Sequence, residues 1–269
     1  MEYVEYGKKD GKMVIYFHGA PGAMEECAIF DRYAKEHNLT IVCFDRFSMD
    51  CSLHRESYYN ELAAKIRIKS RGEPIDFIGF SIGAHVALEV SALLRSQVKH
   101  IHLVSAAAPL SDGDFIDHMA GGLVFKLAAK KPFLFFLLTQ YQKVMALVAP
   151  GMLVNILFAS AAGKDKELSK QSDFKRYMTP ILRHCFQKRV RGYIRDVKLY
   201  TAWLGAFSRN TSIVHLWHGT EDNWSPFSMA SYLCNAIPGA THVEAMEGLS
   251  HYSCLFEAAS KICIQLEKP

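Results

Sequence analysis

The sequence predicts an α/β fold: a mostly parallel β-sheet with helices on both faces and a helical cap inserted late in the chain. Three observations predict it. Short β-rich apolar runs alternate with helical patterns on either side of the middle of the chain. In Phe77-Ile78-Gly79-Phe80-Ser81-Ile82-Gly83-Ala84 a buried-strand run drives into a serine between two glycines, and a helical pattern follows at once. From Ser111 to about Phe207 the pattern is helical, with no convincing strand. The implied organisation is a core of residues 1–110 and 208–269, with residues 111–207 as the cap.

The elements follow in order. A short strand, Tyr3 to Tyr6, turns through Lys8-Lys9-Asp10-Gly11 into Met13-Val14-Ile15-Tyr16-Phe17, which is apolar and β-rich. A helix then opens with Glu25 and Glu26, where carboxylates suit the helix dipole, and ends near His37-Asn38. Thr40 to Phe44 is the next strand, and a helix covers Glu56 to Lys69. After the Ile75–Phe80 strand, Ile82, Val86, Val90 and Leu93 share one helix face. Ile101 to Val104 is a strand. Within the helical stretch, Thr179-Pro180 reads as an N-cap and first helical residue. The helix it opens carries Phe186, Val190, Tyr193, Ile194, Val197 and Leu204 on one side, with Arg183, Lys188, Arg189, Arg191, Arg195 and Lys198 as a basic face. Strands resume at Ser212 to Trp217 and His242 to Met246, and a last helix ends near Leu266.

Composition bounds the function. A chain of 269 residues, half hydrophobic and 22% charged, is long enough for one large α/β domain. A net charge of +4 does not argue for a nucleic-acid partner, and none is expected. Seven scattered cysteines without a C-x-x-C suit a reducing compartment. The charged N-terminus is unlike a secretory signal, so the expected location is cytoplasmic. Neither a metal nor a cofactor is expected. Between Pro132 and Gly163 the only formal charge is Lys143, and Val144 to Gly163 has the length of a membrane span. Pro150-Gly151 breaks it, so the reading is a pair of helices covering an apolar site.

The chemistry centres on Ser81. Gly79 and Gly83 remove side chains that would collide across a sharp strand-to-helix turn, and the helix N-terminus favours developing negative charge. Serine needs a base, and the base needs an orienting acid. Asp222 follows the Ser212 strand, and His251 follows the His242 strand, both at the sheet edge that carries Ser81. Glu221, Asp112 and Asp114 are the weaker acid candidates. An oxyanion needs amide donors. The N–H of Ile82 is one. The second is assigned to Ala20 in the loop His18-Gly19-Ala20-Pro21-Gly22, where Pro21 has no N–H, Gly19 and Gly22 permit close approach, and His18 braces the turn.

These residues give a resemblance. His18 to Gly22, Gly79 to Gly83, Gly219 to Pro226 and Gly248 to His251 are similar to the motifs of the α/β-hydrolase fold family, in its subgroup with an H-G-x-P-G loop and a helical cap. Residues 192–196, Trp203 and residues 216–219 are similar to poorly characterised bacterial-type members. The resemblance implies a serine hydrolase with Ser81 as nucleophile, His251 as base and Asp222 as acid. Two departures stand out. The loop Asp45 to Ser52 has neither the proline nor the glycine usual in relatives, and the usual first strand is expected to be missing.

Serine rather than aspartate at position 81 excludes the epoxide hydrolase and haloalkane dehalogenase chemistries. Ile82 in place of a tryptophan, with a cap that is apolar or basic, argues against a proline iminopeptidase. The expected substrate is a small ester, thioester or lipid-like molecule with an apolar acyl group. Phe125, Phe133, Phe135, Phe136, Met145, Met152 and Phe158 are the expected pocket wall. An acyltransferase, a carbon–carbon bond hydrolase and a non-catalytic binding protein are the alternatives. A weak contact of the basic face with an acidic membrane surface is also carried as an expectation.

Overall fold

A computed structural model describes residues 1–205 and 207–267. Ala206, inside the expected 111–207 insertion, and Lys268-Pro269, at the end of the expected core, lie outside the described residues. Strands β1 (Tyr3–Gly7), β2 (Lys12–Phe17), β3 (Leu39–Phe44), β4 (Ile75–Phe80), β5 (Val98–Val104), β6 (Ile213–Gly219) and β7 (Ala240–Met246) form one seven-stranded sheet in the order β1-β3-β2-β4-β5-β6-β7. β1 runs antiparallel to β3, and every other pair is parallel. β3 and β4 are buried at every position, as a parallel sheet covered on both faces requires. The fold class is the expected one.

Helices α1 (Asp31–Glu36), α2 (Arg55–Lys69) and α3 (Gly83–Leu94) connect the first five strands. Among the described residues six α-helices lie between β5 and β6: α4 (Gly122–Lys130), α5 (Pro132–Val148), α6 (Pro150–Leu157), α7 (Asp165–Leu168), α8 (Ser172–Arg183) and α9 (Val190–Thr201). α10 (Phe227–Ala236) and α11 (His251–Glu267) complete the chain. α2 packs on α3 and α1 on α11, and each pair covers sheet strands.

Three local expectations change. The segment opening at Glu25 is a 3-10 turn, Met24–Phe30, ahead of the short α1, and Glu26 is wholly buried rather than a solvated dipole partner. Thr179-Pro180 does not start a helix, because both lie inside α8. Thr179 Oγ1 donates back to Lys175 O at 2.7 Å instead of capping, and a π-helical turn at His184–Lys188 separates α8 from α9. Pro150 opens α6 one residue after α5 is capped by Ala149, so the long apolar run is two helices. Among the described residues no helix is long and apolar enough to cross a membrane.

That π-helical turn fastens the insertion to the core through charge. His184 Nδ1 lies 2.8 Å from Glu25 Oε1, and its Nε2 lies 3.4 Å from Asp45 Oδ2. Asp45, followed by Glu25, pulls the imidazole up to about 9. An imidazole that gains protons on folding stabilises the fold fully below its unfolded value near 6.5, and that contribution is lost as pH rises through about 9. Thermal melts are therefore expected to show Tm falling by on the order of a few degrees between these pH values. His184→Gln is expected to flatten the dependence, and an unchanged slope in that variant refutes the assignment.

Candidate active site

Ser81 sits where β4 ends and α3 begins, with φ +54°. A left-handed non-glycine residue at such a turn is strained and must be held. Its N–H donates to Val104 O at 3.0 Å, and its carbonyl accepts from Ala107 N at 3.2 Å and Ala84 N at 3.1 Å. Gly83 is forced by a close approach: a Cβ there would stand 2.0 Å from Phe17 O. A Cβ on Gly79, inside β4, would stand 2.8 Å from Ala84 Cα. Glycine at 79 therefore lets β4 and α3 come together, and glycine at 83 lets α3 begin against the end of β2.

The 18–22 loop lies beside this turn. His18 is fully buried and donates from Nδ1 to Gly19 O at 2.8 Å. Burial, aided by the Arg46 charge, keeps its pKa well below the usual histidine range. A Cβ on Gly22 would fall 2.3 Å from Gly19 O, so the loop folds back on itself there. Beneath it lies a residue with no sequence signal for such a role. Glu26 accepts from Gly19 N at 2.8 Å and from Tyr16 Oη at 3.0 Å. Burial pushes its carboxyl up to about 7, against the opposing pull of these donors. Among the described residues no acceptor takes the Ala20 or Ile82 N–H, and both residues line the cavity that contains Ser81.

Asp222 and His251 follow β6 and β7, so the parallel strands deliver both to the edge that carries Ser81. Asp222 Oδ2 lies 2.9 Å from His251 Nδ1. Its Oδ1 accepts from Trp224 N at 2.8 Å and Ser225 N at 2.9 Å. Burial alone would raise the Asp222 carboxyl. The His251 charge and hydrogen bond, with His218 and Ser225 N–H, outweigh burial and hold it below its ordinary value. His251 is the first residue of α11, and Trp224 stacks on its ring at 5.5 Å. The start of α11 is capped from the insertion: Asp165, wholly buried, accepts from Tyr252 N at 2.9 Å and Ser253 N at 2.7 Å. Among the described residues Ser81 Oγ makes no hydrogen bond to His251, a contact that such sites often tighten only with substrate. Of the weaker acid candidates, Asp112 bonds instead to Tyr232 at the surface.

The cavity lies between the sheet edge and the insertion. Ser81, Ile82, Ala20 and Trp224 contribute from the core, and Met119, Val124, Phe125, Ile156, Leu157 and Val197 make it largely apolar. The buried Gln142 amide oxygen and Trp224 Nε1 also belong to lining residues, and neither has a hydrogen-bond partner among the described residues. The expected wall needs correction. Phe125 lines the cavity, whereas Phe133, Phe136 and Met152 are exposed on the far side of their helices. Phe135, Met145 and Phe158 pack within the insertion and against the core without reaching the cavity. Helix phase decides this: α5 turns Phe135, Thr139, Gln142 and Ala146 inward, and Phe133 and Phe136 lie off that stripe.

The expected basic face also divides. Arg189 pairs with Asp45 at 2.6 Å, and Arg195 is buried. Arg195 donates to Arg46 O at 2.8 Å, Met49 O at 3.1 Å and Asp196 Oδ1 at 2.9 Å. Arg46 Nε donates to Asp196 Oδ2 at 2.7 Å. The 45–52 loop, lacking proline and glycine, is thus ordered by guanidinium groups and a carboxylate, with Arg46 also 3.5 Å from Gly19 O. Arg46 and the 45–52 loop lie far in sequence from Arg195 and Asp196, which is why this pairing is invisible there. Among the described residues no group of three or more His, Cys, Asp or Glu is arranged to hold a metal ion.

A family model described as the alpha/beta hydrolase family matches residues 14–264, so the chain belongs to that family and is a hydrolase by class. No curated protein matches the sequence. Among solved structures, a bromoperoxidase from Bacillus anthracis is similar at 14% identity and TM-score 0.69, with 98% of this chain and 94% of that one covered. An esterase from Exiguobacterium antarcticum is similar at 16% identity and TM-score 0.68, covering 99% and 95%. A thermophilic esterase from Thermogutta terrifontis is similar at 12% identity and TM-score 0.68, covering 99% and 91%. At these identities the likeness is one of fold.

The buried Arg46–Asp196–Arg195 cluster makes a stability prediction. Asp196→Ala strands two buried guanidinium charges and is expected to cost about 3–5 kcal/mol in urea unfolding. Replacing Arg46 by Met together with Asp196 by Leu should recover part of that loss. A cost near zero for the single variant contradicts the cluster.

Proposed function

We infer that this alpha/beta hydrolase is a serine hydrolase that cleaves a small carboxylic ester or thioester with an apolar acyl group. The observation that carries the reading is the cavity itself. Ser81, the uncommitted amides of Ala20 and Ile82, and the Trp224 stacked on His251 all border one largely apolar space. Two of the similar solved structures are esterases, which supports the same substrate class.

His251 takes the proton from Ser81 as Oγ attacks the substrate carbonyl. Asp222 holds the imidazole with Nδ1–H toward its own Oδ2, which leaves Nε2 as the base, and its charge stabilises the imidazolium. The Ala20 and Ile82 N–H groups receive the oxyanion, in a site where Glu26 fixes Gly19 and the α3 N-terminus favours negative charge. His251 then protonates the leaving group, and water resolves the acyl-enzyme by the reverse use of the same groups. The Met119, Val124, Phe125 and Ile156 side chains provide the apolar surroundings for the acyl part. The unpartnered Gln142 amide supplies a polar contact to orient one end of the substrate.

A fluorophosphonate probe is expected to label the wild type, and the label should vanish in Ser81→Ala. No labelling of the folded wild type sinks the reading. On p-nitrophenyl esters, Ser81→Ala is expected to lower kcat by roughly 10⁴ to 10⁶ and Asp222→Asn by about 10⁴. Uncharged acyl chains should be preferred over charged ones of equal length.

A further inference from the structure

Helix α5 is more polar inside than outside. Its buried stripe is Phe135, Thr139, Gln142 and Ala146. Its opposite face presents Phe133, Leu137, Tyr141, Val144 and Val148, at exposures from 47% to 69%. Leu123 on α4 and Met152 on α6 extend the surface, and among the described residues most of the large exposed apolar side chains lie between Leu123 and Ile156. A contiguous apolar face of this kind on a water-soluble surface marks an interaction site.

We propose that this α4–α6 face docks on a bilayer containing anionic lipid and brings the mouth of the Ser81 cavity to the lipid surface. Two observations select that occupant. The first is charge. No Asp or Glu occurs from His118 to Lys164, a segment that carries Lys126, Lys130, Lys131, Lys143 and Lys164, all exposed. Lys126 pairs with Asp117, but Lys130, Lys131 and Lys143 make no ion pair among the described residues. Lys130 and Lys131 stand at the α4–α5 turn immediately before Phe133, and Lys143 flanks the apolar face on α5. Their long stems can rest on the apolar boundary while the ammonium groups reach lipid phosphates. The second is continuity with the site. Ile156, 44% exposed, belongs to the apolar face and also lines the cavity that holds Ser81. An acyl ester leaving the bilayer would reach the cavity along apolar side chains. The helices are too short to span, so the contact is interfacial, with apolar burial and lysine–headgroup attraction adding.

Vesicle flotation tests this with the full chain. Wild type is expected to float with vesicles of phosphatidylcholine mixed with phosphatidylglycerol, and to bind pure phosphatidylcholine at least several-fold more weakly. The triple variant Phe133→Ser, Leu137→Ser, Val144→Ser changes only exposed side chains and should keep its circular dichroism and melting curve while losing binding by tenfold or more. The variant Lys130→Gln, Lys131→Gln, Lys143→Gln is expected to lose on the order of tenfold or more on the anionic vesicles at low salt, and most of its salt sensitivity. Ser81→Ala should bind vesicles like the wild type, so failure of the hydrolysis reading and failure of docking are told apart. No flotation on anionic vesicles, or flotation unchanged in the serine triple variant, overturns the proposal. So does a stable wild-type dimer in sedimentation velocity that the same variant dissociates, since the face is then covered by a second copy.

Discussion

The left-handed turn at Ser81 is the constraint on which the site depends. A non-glycine residue at φ +54° costs of order 1–3 kcal/mol, so the surroundings must over-determine it. They do so with two backbone bonds to the end of β5 and the segment after it: Ser81 N to Val104 O, and Ala107 N to Ser81 O. The steric counterpart is Gly83, whose missing side chain lets α3 begin against the Phe17 and His18 carbonyls. The 18–22 loop and the serine turn are thereby packed on each other before any substrate arrives. The preorganisation that the proposed acyl transfer demands is built into backbone contacts rather than into side-chain flexibility.

The helical insertion takes part in building that site. Asp165 on α7 caps the helix that begins with His251. Asp196 on α9 neutralises Arg46, which lies beside Gly19. His184 answers Asp45 and Glu25. Each is a charged group of the insertion satisfied by a group of the core, or the reverse. Charges buried at such a junction are costly unless paired, so they select one docking geometry even where an apolar contact would stabilise more. The insertion thus helps to position His251 and the 18–22 loop while bordering the cavity.

The polarity of α5 joins these two parts. Its inner stripe meets the cavity with a carboxamide, and its outer face is apolar. An amphipathic helix of an ordinary globular protein has the reverse arrangement. The inversion, together with the lysines around it, is what the proposed docking rests on, with one face of α5 toward the Ser81 cavity and the other exposed.

Much of the fold was legible in the residue order. Every strand announced itself as a short β-rich run, and Ser81, Asp222 and His251 each stood at the end of a parallel strand, which places them on a shared edge by topology alone. Glycines at 79 and 83 were readable because steric exclusion is local. What was not legible concerns partners distant along the chain and the rotational phase of helices. Glu26 looked like a dipole partner because its neighbours in sequence gave no hint of Gly19 and Tyr16 folding over it. Arg195 looked like one more member of a basic face because Arg46 and the 45–52 carbonyls surround it only in three dimensions. Phe133, Phe136 and Met152 satisfied every compositional requirement for a pocket wall, yet a helix exposes one face and buries another, and the choice belongs to packing. Local chemistry, set by the order of residue types, therefore specified the elements and the reactive edge. Burial, pairing and facing arise from contacts between segments far apart in the chain, and folding alone assigns them.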